Sequence, residues 1–197
     1  MSPDSTNNPI HQLFNQAGLR KFLRRTRAPL ALVAAGWLAF HIKPEWFWPG
    51  LAVSAVGEFF QLWCFAALHK EKTLATNGPY KVVRNPMYLA RFLILFGCLM
   101  FLGNWVVLAL CPILYYFYMV NRVRREEVRL QQMLGEPYAE YCRKVSRFVP
   151  FCGISSHGRI LYFQWSYFLE NNGHTNGLAQ CAYYAVCYVI TFKPFAS

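Results

Sequence analysis

The sequence predicts an all-α, polytopic membrane protein with four core transmembrane helices and a candidate fifth membrane segment. Three observations carry this expectation: four apolar runs separated by polar connectors, basic residues gathered in alternate connectors, and one connector of only two residues. Of the 197 residues, 55% are hydrophobic, 18% aromatic and 15% charged; an average soluble domain carries about 25% charged residues.

The first apolar run, 28–42, is short for a bilayer core that needs roughly 20 helical residues. Arg27 and Lys43 at its ends can snorkel to cover the deficit. The preceding segment, 1–19, is polar and lacks the apolar core and cleavage site of a secretory leader. It reads as a flexible or surface-lying tail that leaves the N-terminus in the cytoplasm. Lys43-Pro44-Glu45-Trp46-Phe47-Trp48-Pro49 reads as a break rich in interface aromatics. The second run covers 49–68, the third 87–102 and the fourth 105–120.

Only Gly103 and Asn104 separate the third and fourth runs, so these must form an antiparallel helical hairpin. A charged helix over 121–134 is expected to continue the fourth span and stop at Gly135, a residue suited to a helix C-terminus. The aromatic stretch 158–170 is expected in the membrane interface, and 178–192 is the last apolar run. No repeat or internal boundary divides the chain. It reads as one domain over 1–197, with a membrane core at 28–120, a cytoplasmic helix and motif at 121–150, and an interfacial or last membrane segment at 151–197.

The net charge of +11 is placed in a way that argues against nucleic acid. Five Lys and Arg residues lie in 20–27, four in 69–84 and seven in 121–147, which is 16 of the 20 in the chain. Basic residues in alternate loops mark the cytoplasmic face of a membrane protein, and no nucleic-acid-reading motif accompanies them. The seven cysteines form no Cys-x-x-Cys pair. They read as small buried hydrophobes rather than as a disulfide framework or zinc site, and no metal is expected.

Three features exceed what an anchor needs. The connector from Thr73 to Tyr88 leads through the turn Gly78-Pro79 into a helix, with Pro86 suited to its first turn. Arg84 and Asn85 beside that terminus are placed to hold a carboxylate or phosphate, and equally suit a turn with a headgroup-binding arginine. In the helix after the fourth run, Arg122 and Glu126 share a face, while Glu127 falls within the stripe of Val123, Leu130 and Leu134. A carboxylate on a buried stripe needs a cation or polar ligand; a solvated, salt-bridged helix end is the competing reading. Finally, Glu58 and Arg91 lie within or near spans, where charges are functional candidates, or pair with each other to fix packing.

The stretch from Thr73 to Pro150 resembles the isoprenylcysteine carboxyl methyltransferase family of integral membrane proteins, and more distantly the phospholipid N-methyltransferases. The matching pieces are TLATNGPYKVVRNPMY, the tight hairpin, REEVRLQQMLGEPYAEYCRKV and the closing RFVP. The resemblance implies S-adenosyl-L-methionine bound on the cytoplasmic side, among the connector, the third helix and the helix after the hairpin. By position the implied cofactor contacts are Lys72, Thr73, Leu74, Ala75, Tyr80, Arg84, Asn85, Pro86, Met87, Tyr88 and Glu126. Arg122 is implied toward the substrate and the transferred methyl, with Glu127 as a second candidate in the catalytic group.

Three positions depart from the family. Asn85 stands where Arg-His-Pro is usual, Ala90 replaces the glycine of Tyr-x-Gly, and Lys72 occupies a position that is often His. The resemblance implies a lipophilic acceptor, small-molecule or lipidated, drawn from membrane lipids, most simply a carboxylate. The alternatives are N-methylation of an amine headgroup, a membrane reductase of related architecture, and a non-catalytic lipid-binding or scaffold homologue. No Gly-x-Gly occurs, which removes the soluble dinucleotide and methyltransferase folds.

Overall fold

The computed structural model describes residues 17–69, 73–155 and 158–193. Among the described residues the chain is helical, with no strand. The helices are α1 (Ala17–Phe40), α2 (Pro44–Ala67), α3 (Pro86–Met100), α4 (Trp105–Leu134), α5 (Glu136–Lys144), α6 (Trp165–Glu170) and α7 (Gly173–Phe192).

Three boundaries differ from expectation. From Pro44 on, the aromatic break at 43–49 is helix: Pro44 sits at the first position of α2, where its missing N–H is no loss, and Pro49 lies inside the helix, where it forgoes one backbone hydrogen bond. The interruption is only the short turn before Pro44, where Lys43 donates its N–H to Phe101 O at 2.9 Å. Of the expected polar tail, 1–16 lies outside the described residues, and Ala17 already opens α1. The last apolar run belongs to a longer helix, the 20-residue α7, which Asn172 introduces with a left-handed φ of 56°.

The α2–α3 interface is the most extensive in the molecule. Its closeness follows from small residues at helical spacing on both partners. A Cβ on Gly50 would meet Gly97 O at 2.6 Å, and one on Gly57 would meet Ile94 N at 2.7 Å. Ser54, between them, donates its hydroxyl to Ile94 O at 3.1 Å. Backbones approach this nearly only where side chains are absent or short.

The tight hairpin forms as its two residues require. Gly103 takes φ 53°, and the Asn104 side chain accepts from Val106 N at 3.0 Å and Val107 N at 3.3 Å, capping α4. As the charge pattern predicts, α4 runs without interruption through the fourth apolar run and the charged segment. It ends at Gly135, φ 62°.

Among the described residues two helices, α2 and α4, are long and apolar enough to cross a membrane; the apolar stretches of α1 and α3 are shorter. Only 22% of the apolar window of α4 is buried inside the protein. Leu110, Ile113, Leu114 and Phe117 face outward, an apolar exterior that water tolerates poorly and a bilayer accommodates.

α7 runs antiparallel to α2. Gln61 donates to Asn176 Oδ1 at 2.7 Å, and Ser54 meets the Tyr184 hydroxyl at 2.5 Å. The stretch expected in the interface, with Asn171 just after it, braces the end of α2. Asn171 Nδ2 donates to Phe65 O at 2.8 Å and Leu68 O at 2.7 Å, and Gln164 N donates to Ala66 O at 3.0 Å. These bonds satisfy carbonyls that a helix C-terminus leaves open.

Candidate active site

The end of α2, the connector, the start of α3 and the charged half of α4 enclose a cavity of about 370 Å³, within the range of small-molecule sites. Three secondary contacts position the connector. Arg84 N donates to Ser146 O at 2.9 Å, Phe151 N to Val82 O at 3.2 Å, and the Tyr141 hydroxyl to Tyr80 O at 2.5 Å. The segment after α5 therefore folds back along the connector, and Tyr138 and Tyr141 of α5 join the cavity wall. Burial raises the phenols of Tyr80, Tyr138 and Tyr141 above their ordinary range, and the Arg91 guanidinium opposes that rise at Tyr80.

At the centre stands Tyr88. Its hydroxyl donates to Glu126 Oε2 at 2.6 Å and accepts from Arg122 Nε at 3.2 Å. Its backbone carbonyl accepts from the Tyr115 hydroxyl at 2.7 Å. The first turn of α3 is thus locked to α4, with a guanidinium and a carboxylate held on either side of one phenol.

The cavity brings together most of the residues singled out from sequence. Thr73, Leu74, Ala75, Tyr80, Arg84, Asn85, Met87, Tyr88, Arg122 and Glu126 all line it. Lys72 lies outside the described residues, and Pro86 is a buried first-turn residue of α3 outside the lining. Glu127 also lies outside the lining. It turns to the neighbouring flank of α4, where it meets Arg147 at 2.5 Å, Arg84 at 3.7 Å and the Asn85 amide at 3.3 Å. The two adjacent glutamates point apart because neighbouring helical residues are about 100° apart.

The suggested Glu58–Arg91 pair does not form. Gly57 packs on Ala90 and Ile94, so the next residue on each antiparallel helix rotates away from the contact. Glu58 goes to the stripe of Ser54 and Gln61 that meets α7, and both its oxygens are without hydrogen-bond partners among the described residues. Arg91 instead reaches the cavity edge.

Sequence reasoning missed His69, Arg129 and Met133 in the lining. Arg129 and Met133 follow Arg122 and Glu126 at helical spacing, so the periodicity held their signal. His69 carried none; it is presented by a stack on Tyr167, ring centroids 4.6 Å apart, which joins the C-terminal segment to the site.

The donor set suits a zwitterionic ligand. Arg84 lines the cavity and its Nε has no partner among the described residues, leaving a donor for a carboxylate. The Asn85 amide nitrogen is spent on Glu127 and on Arg147 O at 3.4 Å, so its carbonyl oxygen is what remains for a ligand amine. Among the described residues no group of three or more His, Cys, Asp or Glu side chains gathers in a metal-binding arrangement.

Fold and cavity define a helical protein with an apolar exterior and a largely apolar cavity set with arginines at one end of its bundle. Residues 47–137, which span α2 to the start of α5, match the family model described as Phospholipid methyltransferase. The chain is 30% identical over 99 residues to Protein-S-isoprenylcysteine O-methyltransferase of Schizosaccharomyces pombe, covering 50% of this chain and 42% of that protein. It is 30% identical over 78 residues to Protein-S-isoprenylcysteine O-methyltransferase B of Arabidopsis thaliana, covering 40% of each. Against the Cobalt-zinc-cadmium resistance protein CzcN of Cupriavidus metallidurans it is 27% identical over 164 residues, covering 75% of this chain and 74% of that one. The chain thus spans about two fifths of the length of the two O-methyltransferases it matches. No solved structure gives a significant match. Over this helical core the chain is similar to phospholipid methyltransferases and to isoprenylcysteine O-methyltransferases.

Proposed function

We propose that this chain is an integral membrane methyltransferase that uses S-adenosyl-L-methionine and acts on a lipophilic acceptor, most simply a carboxylate. In this reading α1 to α4 supply four core spans, α7 a fifth membrane segment, and the cavity opens on the cytoplasmic side with the basic segments. The observation that carries it is the Arg122–Tyr88–Glu126 arrangement lining the cavity, within the segment that matches a methyltransferase family.

Residues would divide the work as follows. Thr73, Leu74, Ala75, Tyr80, Asn85, Met87, Tyr88 and Glu126 would hold the cofactor, and Arg84 would face its carboxylate. S-adenosyl-L-methionine, when bound, supplies a methyl group on a sulfonium, open to in-line displacement without a metal. Arg122 would hold the acceptor carboxylate in line, where positioning contributes about 7–11 kcal/mol. Glu127, turned from the cavity, would act by holding Arg84 and Asn85 in place rather than by touching substrate. Excluding water from the cavity would strengthen the Arg122 contact and protect the sulfonium.

Calorimetric titration of detergent-purified protein with S-adenosylhomocysteine tests the reading, beside an Arg84→Ala, Glu126→Ala double variant. Saturable binding lost in the variant is expected. Folded parent protein that binds none would return the reading to a membrane reductase or a non-catalytic lipid-binding homologue.

A further inference from the structure

Arg91 stands one turn along α3 from Tyr88, at the cavity edge beside Phe65 and Met87. Its guanidinium lies 5.9 Å from the Tyr88 ring centroid, and its Nη2 meets Met87 Sδ at 3.1 Å. A thioether is a weak acceptor, so most of its five donors are uncommitted. Among the described residues no carboxylate pairs with it.

Two other cavity arginines are differently placed. Arg84 lies 3.7 Å from the Glu127 carboxylate. Arg122 donates to the Tyr88 hydroxyl, whose own proton goes to Glu126. Each of them faces a carboxylate, directly or through one phenol, and Arg91 faces none. The Arg91 side chain is exposed at the cavity edge, and its planar fork matches carboxylate and phosphate oxygens.

We propose that Arg91 is a specificity-determining residue: it joins Arg122, across Tyr88, in binding the oxyanion of the acceptor, carboxylate or phosphate, so that the site takes acidic amphiphiles and rejects amine headgroups. The inference rests on the methyltransferase reading for the word acceptor, and on the cavity alone for the oxyanion. Tyr88 couples the two ends of the site, presenting its ring face to Arg91 and its hydroxyl to Arg122.

Three probes sharing one lipid tail test it in phosphatidylcholine nanodiscs: N-acetyl-S-farnesylcysteine, its neutral amide, and farnesyl phosphate. Affinity is read from the shift in unfolding temperature across a titration, with S-adenosylhomocysteine affinity measured in parallel. Arg91→Gln is expected to weaken one or both anionic probes about tenfold, leave the amide unchanged, and preserve S-adenosylhomocysteine binding; Arg91→Lys is expected to recover part of the loss. Which anionic probe responds separates carboxylate from phosphate. Equal affinity of the parent protein for anion and amide would overturn the proposal, as would an Arg91→Gln effect of the same size on all three probes. Loss of the discrimination in phosphatidylglycerol nanodiscs would also overturn it, by making Arg91 a bulk-lipid anchor. Charge-selective binding that depends on Arg91, in protein that binds no S-adenosylhomocysteine, would support the oxyanion site while sinking the methyltransferase reading.

Discussion

Glu127 of α4 and Arg147 of the segment after α5 form an ion pair of 2.5 Å, and the same carboxylate reaches Arg84 and Asn85 of the connector. One buried side chain therefore holds together three stretches distant in sequence. The connector and the segment after α5 are in turn bonded through their backbones, with Arg84 N on Ser146 O. The connector cannot move away from α4 without breaking this junction.

Removing that carboxylate should be costly. Glu127→Ala leaves Arg84, already short of one partner at Nε, facing an apolar void. Because Arg147 keeps 43% of its side-chain exposure, the expected loss is about 1–3 kcal/mol rather than that of a fully buried pair. Thermal unfolding in detergent measures it, and Arg147→Ala should cost less. An unchanged unfolding temperature in Glu127→Ala would show that the junction does not hold the site together.

Tyr88→Phe separates the roles of hydroxyl and ring. The variant keeps the ring beneath Arg91 and loses the atom between Arg122 and Glu126. We expect stability to fall by about 0.5–1.5 kcal/mol, the ordinary net worth of a hydrogen bond. On the methyltransferase reading turnover should fall more than tenfold, because Arg122 would swing directly onto Glu126. Activity equal to the parent protein would remove Tyr88 from the site's working parts.

The α2–α3 contact predicts opposite outcomes for two glycines. Gly57→Ala forces a methyl against Ile94 N and Ala90 O, both backbone atoms unable to yield, and should destabilise by about 1–3 kcal/mol. Gly36, inside α1, has nothing within 4 Å of its notional Cβ. Gly36→Ala should be neutral or stabilising by up to about 1 kcal/mol. Paired unfolding curves check both, and a Gly57→Ala protein as stable as the parent would refute the close packing.

Alkali should loosen the site end first. Burial raises the Tyr80, Tyr138 and Tyr141 phenols in the folded chain, against about 10 when unfolded. Below pH 10 both states keep these protons and the stability is fully present. Above it the unfolded chain releases protons that the folded chain retains, so stability falls as pH rises toward the folded values. Between pH 9 and 11 the parent protein should lose more stability than a Tyr138→Phe, Tyr141→Phe variant. Parallel losses in the two would place the alkaline sensitivity elsewhere.

Much of this architecture is legible locally. The hairpin follows from Gly103 and Asn104, since two residues between long apolar runs allow only an antiparallel return. The continuous α4 and its stop at Gly135 follow from helical spacing and a residue free to take positive φ. The pairing of Arg122 and Glu126 on one face follows from their separation by four.

Tertiary structure decided the rest, because direction around a helix matters only once a neighbour is in place. Glu126 and Glu127 are indistinguishable as adjacent carboxylates until Tyr88 meets the one and Arg147 with the connector meets the other. Glu58 and Arg91 look like partners in sequence, yet the Gly57–Ala90 contact rotates them to opposite sides of the interface. His69 became part of the site only because Tyr167 stacks on it from nearly a hundred residues away. Spacing along the chain sets which residues share a face; which face meets the cavity is set by where the small residues let the backbones touch.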